Sequence, residues 1–555
     1  MALPECVAGG EYNQQKAVAV GSNAASLAAA GQTAAAVTHA AVFGRPIGDT
    51  VAWVRDVWMR RYEARLENIR LAFDSSPTAA ICAAHALRGP GGLAAHWLRT
   101  TPTSPDIRAL LEVADTAWVR LWLLFAGATP DQDSVNIRSR IFSTGAACLG
   151  HLAAVDVADS IYDEGVACAW PVLARWTRDA SPHVTMINTI ASALGISLLG
   201  APDPATLVAP FSGWLVARAS ASAAALALRR SAAGRAVDMG SGPGARSGSA
   251  PSTATPRPNL LISALAPGAG PLAGPIAASA AGVKFIIARI LGLPVWRALS
   301  LPAPSSCPRC NAAVEPHLTS GDRERDSHPT PVNTRCLDAY GEHILSCQRA
   351  GLRAGFKRRH DDFARALADL SLYCDRAGRY HDGPCFQFGS RQRPADFLQK
   401  YPGTGQDEAV DVTIGSRLVG SVDDREIQKI RKYALQLRLH PDLKFSPFAV
   451  DLSGDIGNSA LSMVASWSRS LVSRWSADRL PAGNAYGEVL VAVSRALTRT
   501  LALQATAWTD SCTRTLIHSP FSPSLCFAFC RSLRSLSAFG ALDLDLHLCS
   551  PLLAP

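Results

Sequence analysis

A chain of 555 residues, 48% of them hydrophobic, can bury the cores of several domains, since one domain usually takes about 100 to 200 residues. Its formal net charge of +9 and pI near 9.0 suit a polyanionic partner without identifying one. Fourteen scattered cysteines and an opening MALPECVAGGEYNQQ without an apolar run argue against a disulfide scaffold and a secretory leader, and predict a reducing, intracellular setting.

Residues 1–229 form an Ala-rich region. Apolar residues recur at helical spacing from Thr50 to Phe73 and from Ile107 to Phe125, which predicts amphipathic helices with Trp53, Trp58 and Trp97 in their core. The most apolar stretches, near 190–217 and 259–296, are broken by Pro202, Pro204, Pro267, Pro271 and Pro275, and the second also carries Lys284 and Arg289, so no membrane span is predicted. Residues 230–258 combine Gly, Ser, Ala and Pro without periodicity and read as a disordered linker. In the helical segment 259–306, AAGVKFIIARILGLPVW predicts a helix stopped by Gly292 and Pro294.

The first chemistry-bearing cluster spans 307–347. Cys307 and Cys310 stand as CPRC, and CLDAYGEHILSC supplies Cys336, His343 and Cys347. A C-x-x-C turn can bring two thiolates to one tetrahedral ion, while His343 and Cys347, four residues apart, share a helical face. The expected zinc ligands are Cys307, Cys310, His343 and Cys347, with Cys336 a substitute; thiols that merely pack are the alternative.

Residues 348–515 then read as a helix at 358–378, strands at 383–389, 393–398 and 408–414, a helix at 424–438 and a strand at 445–452. Asp396 and Asp411 fall on or beside two of those strands, where pairing could join their carboxylates into the oxygen donors that a hard cation such as magnesium requires. Lys429 and Lys432, on the next helix, are candidates to orient a water and stabilise negative charge. Scattered solvated charges are the competing reading. The tail, 516–555, shows no pattern.

Taken in order, Cys307-x-x-Cys310, Asp338-x-x-Gly341-x-His343 with Cys347, Arg359-His360, Arg393-Pro394-Ala395-Asp396, Asp411-Val412 and Lys429-x-x-Lys432-Tyr433 resemble the zinc knuckle and restriction-like endonuclease domain of site-specific non-LTR retrotransposons, a branch of the PD-(D/E)xK nucleases. The resemblance spans 307–455. It implies an α/β restriction-endonuclease-like domain of order αβββαβ after a largely α-helical N-terminal half and a small knuckle. By the same resemblance Asp396 and Asp411 bind catalytic magnesium, Lys429 or Lys432 replaces the usual lysine because Thr413 stands two after Asp411, and Tyr433 supports the site. Arg359, His360, Arg391 and Arg393 become candidate phosphate contacts. The usual Pro-Asp pair is opened by Ala395, and a polar insert stretches the knuckle. No aromatic-x-Asp-Asp polymerase signature occurs, because Asp361-Asp362 and Asp423-Asp424 lack the aromatic residue.

The expectation is therefore a metal-dependent DNA endonuclease that nicks phosphodiester bonds by a metal-activated water, with structural zinc and catalytic magnesium. Its implied partners are DNA and the element's RNA, in the nucleus, with no membrane and no feature that sets an oligomeric state. A zinc-dependent DNA-binding module and a catalytically inactive element remnant are the alternatives.

Overall fold

A computed structural model describes residues 18–20, 35–37, 39–42, 45–143, 148–162, 164–165, 257–267, 274–301, 307, 340–347, 353–375, 379–382, 395–400, 407–416, 421–439, 441, 443–478 and 484–517. The linker up to 256, the expected strand at 383–389 and the tail beyond 517 lie outside the described residues, as do Cys310, Cys336, Arg391 and Arg393.

Four short strands come first. β1 (Val18–Val20) pairs in parallel with β2 (Ala35–Val37), and β3 (His39–Val42) pairs antiparallel with β4 (Arg45–Gly48). The helical reading of this half did not include them, because three or four residues are too few to show an alternation. Helices follow where the periodicity predicts them. α1 (Thr50–Trp53) runs through a π-helical turn, Val54–Trp58, into α2 (Met59–Ser75). Next come α3 (Pro77–Ala86), α4 (Gly89–Leu98), α5 (Pro105–Phe125) and α6 (Val135–Phe142). The start of α5 is set by Ser104, whose hydroxyl accepts from the Ile107 amide at 3.2 Å, with Pro105 in the first turn where its missing N–H costs nothing. Trp53, Trp58 and Trp97 pack edge to face with ring centroids 5.4 to 6.1 Å apart, inside a core that also takes Trp118 and Trp122.

One buried acid sits in this layer. Asp115, on α5, accepts from the Ala154 amide at 2.7 Å and the Val155 amide at 3.1 Å, capping the helical stretch 154–162. Burial outweighs these bonds and pushes its carboxyl up to about 7. The folded chain then holds that proton more tightly than the unfolded chain. This contribution to stability is full below pH about 4 and is lost as pH rises through 7, by at most about 1.4 kcal/mol per pH unit. Asp115→Asn is expected to flatten that part of the pH–stability curve in thermal melts between pH 4 and 8; an unchanged slope would assign it to other groups.

α7 (Leu260–Ser263), α8 (Ala280–Leu291) and α9 (Val295–Ala298) follow. α8 ends where the sequence predicts, with Gly292 in the left-handed region at φ 66°. α8 lies between α5 and α6 on one side and the 33-residue α14 (Ala485–Ile517) on the other. α14 also packs on α7, on α10 (Glu342–Ser346), on α11 (Arg353–Cys374) and on α13 (Asn458–Ala477). One continuous hydrophobic cluster consequently runs from Trp53 to Trp508.

The α/β part is a four-stranded mixed sheet of β5 (Arg379–Asp382), β6 (Phe397–Lys400), β7 (Asp407–Gly415) and β8 (Leu443–Asp451), in that order. The first two pairings are antiparallel. β7 and β8 are parallel, joined by α12 (Val422–Leu439) as the crossover that parallel neighbours need. Among the described residues the element order is helix, three strands, helix, strand, in a molecule otherwise mostly helical. α11 and α13 lie on the side where Phe397, Val410, Val412 and Phe448 enter the main core, and α12 lies on the other, over Ala395, Leu398 and Ala409. No described helix is long and apolar enough to cross a membrane.

The turn after β8 locks onto α7. Gly454 adopts φ +92°, its carbonyl accepts from the Leu260 amide at 2.7 Å, and an added Cβ would meet Asn259 Oδ1 and the Leu261 nitrogen at 2.7 Å. Gly454→Ala combines backbone strain with that clash and should cost about 2 kcal/mol. Chemical denaturation checks it, and an unshifted midpoint would show that this junction yields freely.

Candidate active site and metal centre

Alternation along β7 decides where Asp411 goes. Val410 and Val412 enter the main core, so the residue between them faces α12, as Ala409 does. There the Lys429 ammonium lies 2.7 Å from Asp411 Oδ2. Asp411 is only 5% exposed, and burial pushes its carboxyl up to about 6 against the pull of Lys429, with the neighbouring Asp396 charge adding to the rise.

Asp396 immediately precedes β6 and is tied across the β6–β7 pairing. Its amide donates to the Val410 carbonyl at 2.8 Å, and its Oδ2 accepts from the Val412 amide at 2.6 Å. His360, on α11, completes this corner. Its Nε2 lies 3.2 Å from Asp396 Oδ2 and 3.0 Å from the Val412 carbonyl, and its Nδ1 lies 3.3 Å from Asp361 Oδ1. The Asp396 carboxylate holds the imidazole pKa up to about 9, so the ring is protonated at neutral pH and both nitrogens donate.

The two lysines separate. Lys429 pairs with Asp411, whereas the Lys432 ammonium donates to the Tyr433 hydroxyl at 3.0 Å and lies 4.8 Å from the centre of that ring. Tyr433 is buried, with its ring edge-on to Phe445 at 5.1 Å. Asp396, Asp411 and Lys429 thus share one corner of the sheet, with Tyr433 supporting Lys432 beside it. Two carboxylates, one on β7 and one just ahead of the neighbouring β6, with the first held in an unfavourable buried state, are the hard oxygen donors that magnesium takes, so these residues fit a divalent cation.

The second centre lies at α10. Donor atoms of Cys307, His343 and Cys347 all fall within 4.8 Å of one another, and all three residues are buried. The two sulfurs are 3.9 Å apart, far beyond a disulfide. Tetrahedral zinc with Zn–S of about 2.3 Å requires an S···S edge of about 3.8 Å, which this spacing meets. A Cys–His–Cys group that could hold a metal is therefore formed among the described residues. The left-handed Gly341 (φ 79°) starts α10, and the Cys347 amide closes it on the His343 carbonyl at 2.7 Å, which aims both side chains the same way.

One expected phosphate contact is corrected by its surroundings. Arg359 is 6% exposed, and its guanidinium donates to the Leu345 carbonyl at 2.8 Å and to Gln504 Oε1 at 2.6 Å. Gln504 in turn donates to the Leu345 carbonyl at 3.0 Å. Arg359 is spent holding α10 against α14 and is turned away from any phosphate at the surface. Its neighbour His360 is turned to Asp396, with a third of its side chain exposed.

Sequence reasoning missed two polar anchors. Arg289 forms a buried ion pair with Glu342 at 3.1 Å and donates to the Tyr340 and Leu452 carbonyls, tying α8 to α10 and to the end of β8. The available signal was Arg289 itself, a lone cation in the apolar run FIIARIL. On the sheet face opposite Asp411, buried Glu408 accepts from Ser446 and pairs with Lys444 at 2.6 Å, while Trp467 donates to Gln399 at 3.2 Å. Nothing in EAVDVTI distinguished Glu408 from a solvated strand end.

No protein-family model matches the chain, and no curated protein matches it.

Proposed function

We propose that this chain is a metal-dependent DNA endonuclease of the restriction-like class found in non-LTR retrotransposons, built on a zinc-stabilised knuckle. The observation that carries the reading is the meeting of Asp396, Asp411 and Lys429 at one corner of the sheet, with the lysine supplied by the crossover helix. A magnesium ion bound there would supply Lewis acidity toward a scissile phosphate. Asp396 and Asp411 would hold it. Lys429 has three donor protons; with one directed to Asp411, two remain to orient the attacking water and to hold negative charge building on the phosphate. Lys432, committed to Tyr433, adds positive potential beside the same carboxylates. The net charge of +9 suits the polyanionic substrate.

At the knuckle, Cys307, His343 and Cys347 would take zinc, with Cys310 of the CPRC turn as the fourth ligand. The RNA partner and the nuclear setting rest on the retrotransposon resemblance alone.

A second reading, a DNA-binding module without cleavage, is favoured by one observation: the Asp411 carboxylate is charge-paired with the Lys429 ammonium at 2.7 Å. The two readings part in an assay of supercoiled-plasmid nicking by the full chain, with magnesium or with chelator. Magnesium-dependent nicking supports the endonuclease; salt-sensitive binding without nicking supports the module. For the endonuclease, Lys429→Met is expected to slow nicking about 100-fold and Lys432→Met much less, and equal effects would show that Lys429 has no special part.

A further inference from the structure

His360 and Arg359 are consecutive residues of α11 that point to opposite partners. Arg359 is fastened to the Leu345 carbonyl of the metal-centre helix and to Gln504 of α14. One residue later the chain presents His360 to Asp396 Oδ2 and to the Val412 carbonyl. Oδ2 of Asp396 also receives the Val412 amide, so this oxygen is engaged from both sides, and among the described residues no hydrogen bond to Oδ1 occurs. A carboxylate gripped by one oxygen has its rotation fixed and its other oxygen aimed.

We propose that His360 is a positioning residue for the nuclease site, orienting the Asp396 carboxylate by donating from Nε2 so that Oδ1 is directed to the divalent cation. The inference rests on the endonuclease reading, and gives His360 a part different from the phosphate contact that the sequence suggests. The imidazole bridges the Val412 carbonyl and Asp396, so it also fixes the carboxylate relative to β7, the strand that carries Asp411. Partners that orient a metal ligand in this way typically contribute about 10- to 100-fold in metal affinity or activity.

The test uses the full chain, its His360→Ala and His360→Gln variants, plasmid nicking over a magnesium titration, manganese(II) binding followed by electron paramagnetic resonance, and DNA binding over a salt series. His360→Ala is expected to raise the half-saturating metal concentration and lower the nicking rate by about 10- to 100-fold in combination, with an unchanged melting midpoint and salt slope. His360→Gln, whose amide can donate from a similar reach, should recover most of the loss. A merely structural histidine would not give a metal-affinity loss that glutamine rescues. Parental manganese affinity and parental nicking in His360→Ala overturn the inference alone. So does weakened DNA binding with a salt slope reduced by about one and no change in metal affinity, the signature of a phosphate contact. A parent chain that neither nicks nor binds manganese overturns the endonuclease reading as well.

Discussion

Asp411→Asn is expected to abolish magnesium-dependent nicking, a loss of about 1,000-fold or more, while the chain stays folded. The substitution keeps the shape of the side chain and removes one of two anionic donors, along with the charge that holds Lys429 in place at 2.7 Å. A thousandfold corresponds to about 4 kcal/mol of barrier, within the several kcal/mol expected of a metal held against a reacting phosphate. Stability should move little or rise, because the wild-type carboxylate is buried in a site that disfavours its charge. Loss of nicking with a preserved melting midpoint therefore separates a catalytic residue from a structural one. Nicking by Asp411→Asn at the parental rate would remove the cleavage chemistry from this corner of the sheet.

The second large effect concerns the other centre. Purified protein should carry about one zinc per chain, and either a chelator or Cys347→Ser should release it and lower the melting midpoint by about 10 °C. The size of the effect follows from the place of α10. Its Ile344 and Leu345 are buried in the main core, its Leu345 carbonyl receives Arg359 and Gln504, and its Glu342 holds Arg289. Loosening the metal centre therefore loosens four elements together, including the α11 turn that delivers His360. A parent chain that purifies without zinc, and whose midpoint neither chelator nor Cys347→Ser lowers, would show that these thiols only pack. Cys310→Ser tests the fourth ligand by the same readout.

The elements that carry a strong period were legible in the sequence. The run from Thr50 became α1, the π-helical turn and α2, the run from Ile107 became α5, the helix stopped at Gly292 ended there, and the strands around Asp411 and before Leu452 lie within two residues of their predicted bounds. Less was legible where the signal is not periodic. The described first strand of the sheet is Arg379–Asp382, a run of RYHD with no apolar alternation, immediately before the expected 383–389. Candidate site residues could be chosen by chemistry and order, but not their partners. Lys429 and Lys432 are equivalent in sequence, three residues apart on one helix; only the path of α12 over β7 sends the first to Asp411 and the second to Tyr433. Arg359 shows the converse. A basic residue beside a histidine looks like an exposed phosphate contact, and only long-range packing against Gln504, 145 residues away, shows the guanidinium to be internal.

That long-range packing also constrains how the chain can be made. Arg495, on α14, donates to the Cys82 sulfur at 3.0 Å across 413 residues of sequence, and to carbonyls of Ala264, Ala266 and Gly274. A ribosome adding about 5 to 20 residues per second needs roughly 20 to 80 s between the emergence of α3 and that of α14. From the emergence of α8 to that of α14, roughly 10 to 40 s at the same rate, the side of α8 that packs on α14 is uncovered, so the nascent chain waits in a partly open state. A chain truncated before Ala485 would never leave it, and its fate would be decided by proteolysis and aggregation whatever the condition of its carboxylates.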